Sequence, residues 1–185
     1  LGQWQDGAWR TVYGWQDPTR RKYPRPVGAR WVGNCDVPDL ELFPQRYAPV
    51  RTVVFRAGVS MTVGMLSTWG ASWLVRAGLL TSLIPLVPRL RRTALALERF
   101  GSKASAMHVT LRGLHARSHS ISRTWRLLAD NDHGPQIPCF PAIALARKLL
   151  RGEVRARGAM PCMGLLTVEE ILAVGRGLDL RTDYC

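Results

Sequence analysis

Between Arg56 and Arg76 the chain runs from Ala57 to Val75, 19 residues, without one charged side chain. A stretch of that length either crosses a bilayer, which takes roughly 20 apolar residues, or is folded away from water inside a protein. Its make-up favours the second. Three glycines, Gly58, Gly64 and Gly70, and five Ser or Thr residues stand where an inserting helix needs Leu, Ile, Phe or Val. Met61, Met65, Trp69 and Trp73 recur at every fourth position and draw a bulky stripe along a helix. Such a stripe suits a core or the contact face of a homodimer, where Trp and Met are enriched.

The first fifty residues read differently. Trp4, Trp9, Trp15 and Trp31 are separated by Gly7, Gly14, Pro18, Pro24, Pro26 and Gly28, and turns that frequent favour short strands. Ala8 to Trp15, Ala29 to Val32 and the β-branched run Val50 to Phe55 are expected as strands, the last with the strongest propensity. The basic stretch Arg20, Arg21, Lys22 and Arg25 is expected as an extended loop, because its prolines forbid a helix. A helix is expected over Arg89 to Phe100. Apolar and polar residues then alternate over Met107 to Leu111 and over Ile121 to Leu127, the pattern of a hairpin. Pro141 opens a further helix that Gly152 stops, and Thr167 with Glu170 forms a capping box that starts the last one, ending near Gly175 or Gly177. Together these elements predict a single α+β domain over residues 1–185. Its mixed, largely antiparallel sheet has about four to six strands, with helices packed mainly on one face.

Charge sets the partner classes. The chain has 26 basic and 13 acidic residues, a net charge of +13, and 23 of the basic residues are Arg. A field that strong suits nucleic acid or another polyanion. A GC-rich coding bias gives the same skew toward Arg, so nucleic acid stands second among the partners, supported by the Arg20 to Arg25 stretch and by Trp15 and Tyr23 as stacking groups. A membrane-associated protein is a third class, because Ala57 to Pro88 holds only Arg76 as a charge. The four cysteines show no C-x-x-C pair and read as reduced thiols, with Cys139 and Cys162 expected in the core and Cys185 exposed. Leu1 to Arg10 has no secretory pattern, which points to the cytoplasm, and Leu rather than Met at the start is read as the beginning of a fragment.

Catalytic signatures are missing. G-x-x-x-x-G-K-[ST], H-E-x-x-H and G-x-S-x-G do not occur. Gly175-Arg176-Gly177 lacks the third glycine of a dinucleotide turn, since Leu180 stands there. His108, His115 and His119 fall within twelve residues, but no acid lies between Lys103 and Arg126 and the surroundings are cationic, so no metal site is expected.

Three stretches resemble the C-terminal part of saccharopine dehydrogenase-like oxidoreductases. The first is Asp36-Val-Pro-Asp39, then Pro44-Gln-Arg-Tyr47 and the strand from Val50 to Gly58. The second is the Met107 to Asp132 hairpin running into Gly134-Pro135-Gln-Ile-Pro138 and the Pro141 helix. The third is Gly158-Ala-Met-Pro-Cys-Met-Gly-Leu-Leu before the last helix. The resemblance implies a substrate-side and dimerisation domain without its N-terminal Rossmann domain. It also implies NAD(P) in the full-length protein with no cofactor in this chain, an inactive isolated domain, a small-molecule substrate and a homodimer. As substrate-binding candidates the sequence offers Arg30, Arg46, His133 and Gln136, polar groups beside turns where loops meet above a sheet.

Overall fold

The computed structural model describes residues 1–82, 84–97, 100–114 and 119–185. The chain divides into two compact units, Leu1–Ser102 and Lys103–Cys185. The α+β class holds. The strands expected in one sheet fall instead into three small ones, and every strand pair among the described residues is antiparallel.

In the first unit, β1 (Gly2–Gln5) and β2 (Ala8–Thr11) form a hairpin closed by Asp6 and Gly7, at φ 54° and 81°. Two successive left-handed residues give a tight turn whose twist matches the strands, and Asp-Gly tolerates that geometry best. Trp4 meets Trp9 edge-on across the hairpin, with ring centroids 5.5 Å apart. The segment 50–55, expected as a strand, makes only one bridge, Val53 to Trp4. Other groups take its carbonyls: the Trp4 indole N–H donates to Val50 (3.0 Å) and the Gly7 amide donates to Arg51 (2.8 Å).

The second sheet has the order β3-β4-β5, with β3 Thr19–Lys22, β4 Ala29–Asn34 and β5 Arg56–Ala57. Arg20, Arg21 and Lys22 are therefore strand residues and not loop. Pro24 and Pro26 do exclude a helix, but they lie beyond the paired residues, in the turn where the Tyr23 amide donates to Gly28 at 3.0 Å.

Three helices complete this unit: α1 (Asp39–Arg46), α2 (Thr62–Arg76) and α3 (Val87–Leu97). Asp39 and Glu41 in the first turn of α1 and Arg46 in its last turn complement the helix dipole, and Leu40 is buried. The Met and Trp stripe of α2 is only partly core. Met65 is fully buried and Trp69 half-buried, whereas Trp73 is exposed and Ser72 takes a buried place. A four-residue step overshoots one helical turn by about 40°, so the stripe winds off the buried face. Opposite Met65 the chain requires Gly33, where a Cβ would stand 2.8 Å from the Trp15 carbonyl oxygen and 2.9 Å from the Met65 methyl.

In the second unit, β6 (Ser105–Leu114) and β7 (Ser120–Ala129) pair over ten residues as the alternation predicts. A third strand, β8 (Leu180–Tyr184), unforeseen in the sequence, pairs with the last five residues of β7. Between them a 3-10 turn (Gly134–Cys139) leads into α4 (Phe140–Leu150), and α5 (Val168–Leu172) follows. Gly152 ends the α4 segment as expected: its amide donates to Leu149 (3.0 Å) and that of Glu153 to Lys148 (3.1 Å), a Schellman closure. The Thr167 and Glu170 capping box is present, with both reciprocal bonds made. Leu127, Leu128, Ala129, Phe140 and Ala144 form the core. Cys139 and Cys162, expected inside, are exposed, because they occupy turns and not buried faces.

Candidate functional site

The four residues singled out from the sequence divide between the units. Arg30 lies on β4 directly opposite Arg21, and Arg46 is exposed at the end of α1. His133 and Gln136 share one turn of the second unit, where the Gln136 amide donates to the His133 carbonyl at 3.2 Å.

His133 belongs to a polar lock whose other half the sequence did not reveal. Asn131 and Asp132 follow β7 with φ of 51° and 60°, which turns the chain back on itself. The Asp179 amide donates to His133 Nδ1 (2.9 Å), Asn131 Nδ2 donates to the Asp179 carboxylate (2.7 Å), and the Asp130 amide donates to the Asp179 carbonyl (3.0 Å). Nδ1 is thus an acceptor, which puts the neutral ring's proton on Nε2. A general base of the Ser-His-Asp kind needs the opposite tautomer, so the arrangement fixes the start of β8 and presents an N–H donor.

A second polar cluster joins the last two helices. Lys148 donates to Glu170 (2.7 Å) and to the Leu165 carbonyl (3.1 Å), while Arg151 pairs with Glu153. The Lys148 bond, with help from the Thr167 amide, holds the Glu170 carboxyl below its usual range. Arg151 does the same to Glu153 and is itself raised by that partner. Both carboxylates are thereby kept ionised as structural partners.

The third feature is a face of the β6-β7-β8 sheet. Register puts Met107 beside Leu127, Trp125 between Val109 and Tyr184, Leu111 beside Arg123, and Gly113 beside Ile121, all on one side. The other side carries His108, Thr110, Arg112, Ser122, Thr124, Arg126 and Asp183. There the Thr110 and Thr124 hydroxyls bond at 2.9 Å and Arg126 pairs with Asp183. Half of the apolar side is covered: Leu127 and Leu180 meet Leu172, Gly175 and Leu178 around a cavity of about 240 Å³. The other half is open. Met107 is 44%, Val109 45%, Leu111 70%, Ile121 37% and Tyr184 81% exposed. Alternation in the sequence identified the face, but only the three-strand register shows how much of it is left uncovered.

No family model, curated protein or solved structure matches the chain. The likeness to saccharopine dehydrogenase-like oxidoreductases therefore stands on the quoted residues alone. Gly175 is set by close packing: a Cβ there would stand 2.7 Å from both the Phe140 ring and Leu180. Among the described residues no helix is long and apolar enough to cross a membrane.

Proposed function

We propose that the chain is an association domain that pairs with a second copy of itself through the open half of the β6-β7-β8 face. The observation that carries this reading is the set Met107, Val109, Leu111, Ile121 and Tyr184, which register places on one side of the sheet and which is exposed there. These side chains offer on the order of 500 Å² per protomer, and two copies face to face reach about 1,000 Å², the lower bound of a specific interface. Charge favours the same face. Each copy carries +13, and of the β6, β7 and β8 residues on this side only Arg123 is charged, so contact here brings few like charges together. The role fits the dimerisation half of an NAD(P)-dependent oxidoreductase, with the nucleotide held by residues outside this sequence.

Sedimentation equilibrium of the parent chain across the micromolar range should report a monomer-dimer balance. Leu111→Glu should give a monomer with an unchanged circular dichroism spectrum. A parent that is monomeric throughout, or a Leu111→Glu variant that still dimerises, overturns the association. Micromolar binding of NADPH by this chain, or a coding region without an upstream G-x-G-x-x-G, overturns the oxidoreductase assignment and leaves the association standing.

A further inference from the structure

The first unit holds a cluster of charges that the protein does not neutralise. In the β3-β4 register Arg21 stands directly opposite Arg30, Arg20 opposite Trp31 and Lys22 opposite Ala29. Like charges placed directly across an antiparallel pair destabilise it. An acidic neighbour would remove the cost, yet none of these four cations has a carboxylate within ion-pair distance among the described residues. Asp17, close by in sequence, is engaged elsewhere, accepting from Asn34 Nδ2 at 2.7 Å. The Arg30 guanidinium makes one long bond, to the Ala29 carbonyl at 3.4 Å. Most donors of two planar forks are thus left for an external acceptor, and such forks match phosphate oxygens.

A second group lies near the far end of the same strand. The Arg76 guanidinium sits over the rings of Tyr13 (5.0 Å) and Trp73 (4.8 Å) and donates to Gln16 Oε1 at 2.8 Å. Both rings are substantially exposed, and the buried Gln16 amide nitrogen has no partner among the described residues, so donors exceed acceptors here too. The Gln16 carbonyl accepts from the amide of Asn34, four residues along β4 from Arg30, a separation of about 13 Å. The guanidinium pair suits the phosphates of a nucleic-acid strand and the exposed rings suit an unstacked base. Duplex DNA keeps its bases stacked and offers nothing to those rings.

We propose that the β3-β4 ribbon and the Tyr13, Trp73 and Arg76 stack bind single-stranded nucleic acid. The test is fluorescence anisotropy of the full chain with labelled oligo-dT of twenty nucleotides, a duplex of equal length and an abasic strand, each across a salt series. Oligo-dT should bind at least tenfold more tightly than the abasic strand. The Arg21→Gln, Arg30→Gln double variant should weaken oligo-dT binding about tenfold or more and lower the slope of log K against log salt by about 1.4. The exposed Arg155→Gln, Arg157→Gln pair, with the same charge change, should leave binding within about threefold. Trp73→Leu should erase the preference for oligo-dT over the abasic strand. Should the ribbon double variant not fold, Arg21→Gln alone should lower the slope by about 0.7. Equal losses from the two double variants, equal affinity for the duplex, or no preference for bases over the abasic strand overturns the proposal. Binding instead to anionic lipid vesicles in preference to oligo-dT overturns it as well.

Discussion

Leu127 and Leu111 lie on the same face of the same sheet, so truncating each to Ala isolates the effect of cover. Leu127→Ala removes three buried carbons, about 2.4 kcal/mol by transfer alone, and the residual space adds to that. The cavity already bordering Leu127 would merge with the new space and admit water, which puts the total near the lower end of the Leu-to-Ala range, about 2.5 to 3.5 kcal/mol. Leu111 has only the unexposed 30% of its area to lose, so the same truncation should cost less than about 0.7 kcal/mol. Because the chain has two units, a single melting curve mixes their unfolding, and amide exchange along β7 reports the second unit by itself. At about 1 μM, where self-association is suppressed, Leu127→Ala should speed β7 exchange on the order of 100-fold and Leu111→Ala by no more than a few-fold. At high concentration the Leu111→Ala effect should grow, since pairing covers that side chain. Costs within about 0.5 kcal/mol of each other at low concentration would refute the half-covered sheet.

Gly33→Ala should destabilise the first unit by about 1 to 3 kcal/mol in urea unfolding. The Met65 methyl can move aside, but the Trp15 carbonyl is held by the Trp15 amide's 2.7 Å bond to Asn34. Gly113→Ala, with open space around it, should show no such loss; equal costs would refute the close approach. The depressed Glu170 value gives the contact between α4 and α5 a defined pH dependence. Its contribution is complete above the ordinary carboxylate value of 4.5 and is lost as pH falls below that through the lowered folded value. Protection factors of the α5 amides, corrected for the intrinsic exchange rate, should therefore fall on acidification in the parent and be flatter in Glu170→Gln, whereas identical profiles would show that the Lys148 bond contributes nothing.

The elements legible in the sequence are those whose signals are local. Met107 to Leu111 and Ile121 to Leu127 alternate and are joined by a short connection, so the hairpin follows from periodicity. Thr167 and Glu170 satisfy each other within one helical turn. Asp6-Gly7 is an equally local hairpin signal. What could not be read depends on distant partners. Thr19 to Lys22 has no apolar residue and becomes a strand only because β4 pairs with it, while the β-branched residues at 50–55 spend their bonds on a turn and an indole nearly fifty residues away. His133 stood out as a polar turn residue, but Asp179, which defines what its ring can do, is 46 positions away and reaches it through β8.

The placement of β8 also orders events in time. β6 and β7 are joined by the five residues 115–119, whereas β8 must wait for a connection of about fifty residues to close, an entropic difference of about 2 kcal/mol. The hairpin therefore forms early and the third strand arrives last, anchored by the Asp179 lock. During that interval both edges of the hairpin are open to any strand of matching pattern, including the β8 of a neighbouring chain. At high concentration the same contacts that complete a monomer would then link two chains by exchange, an assembly route set by refolding concentration and distinct from pairing across the open face.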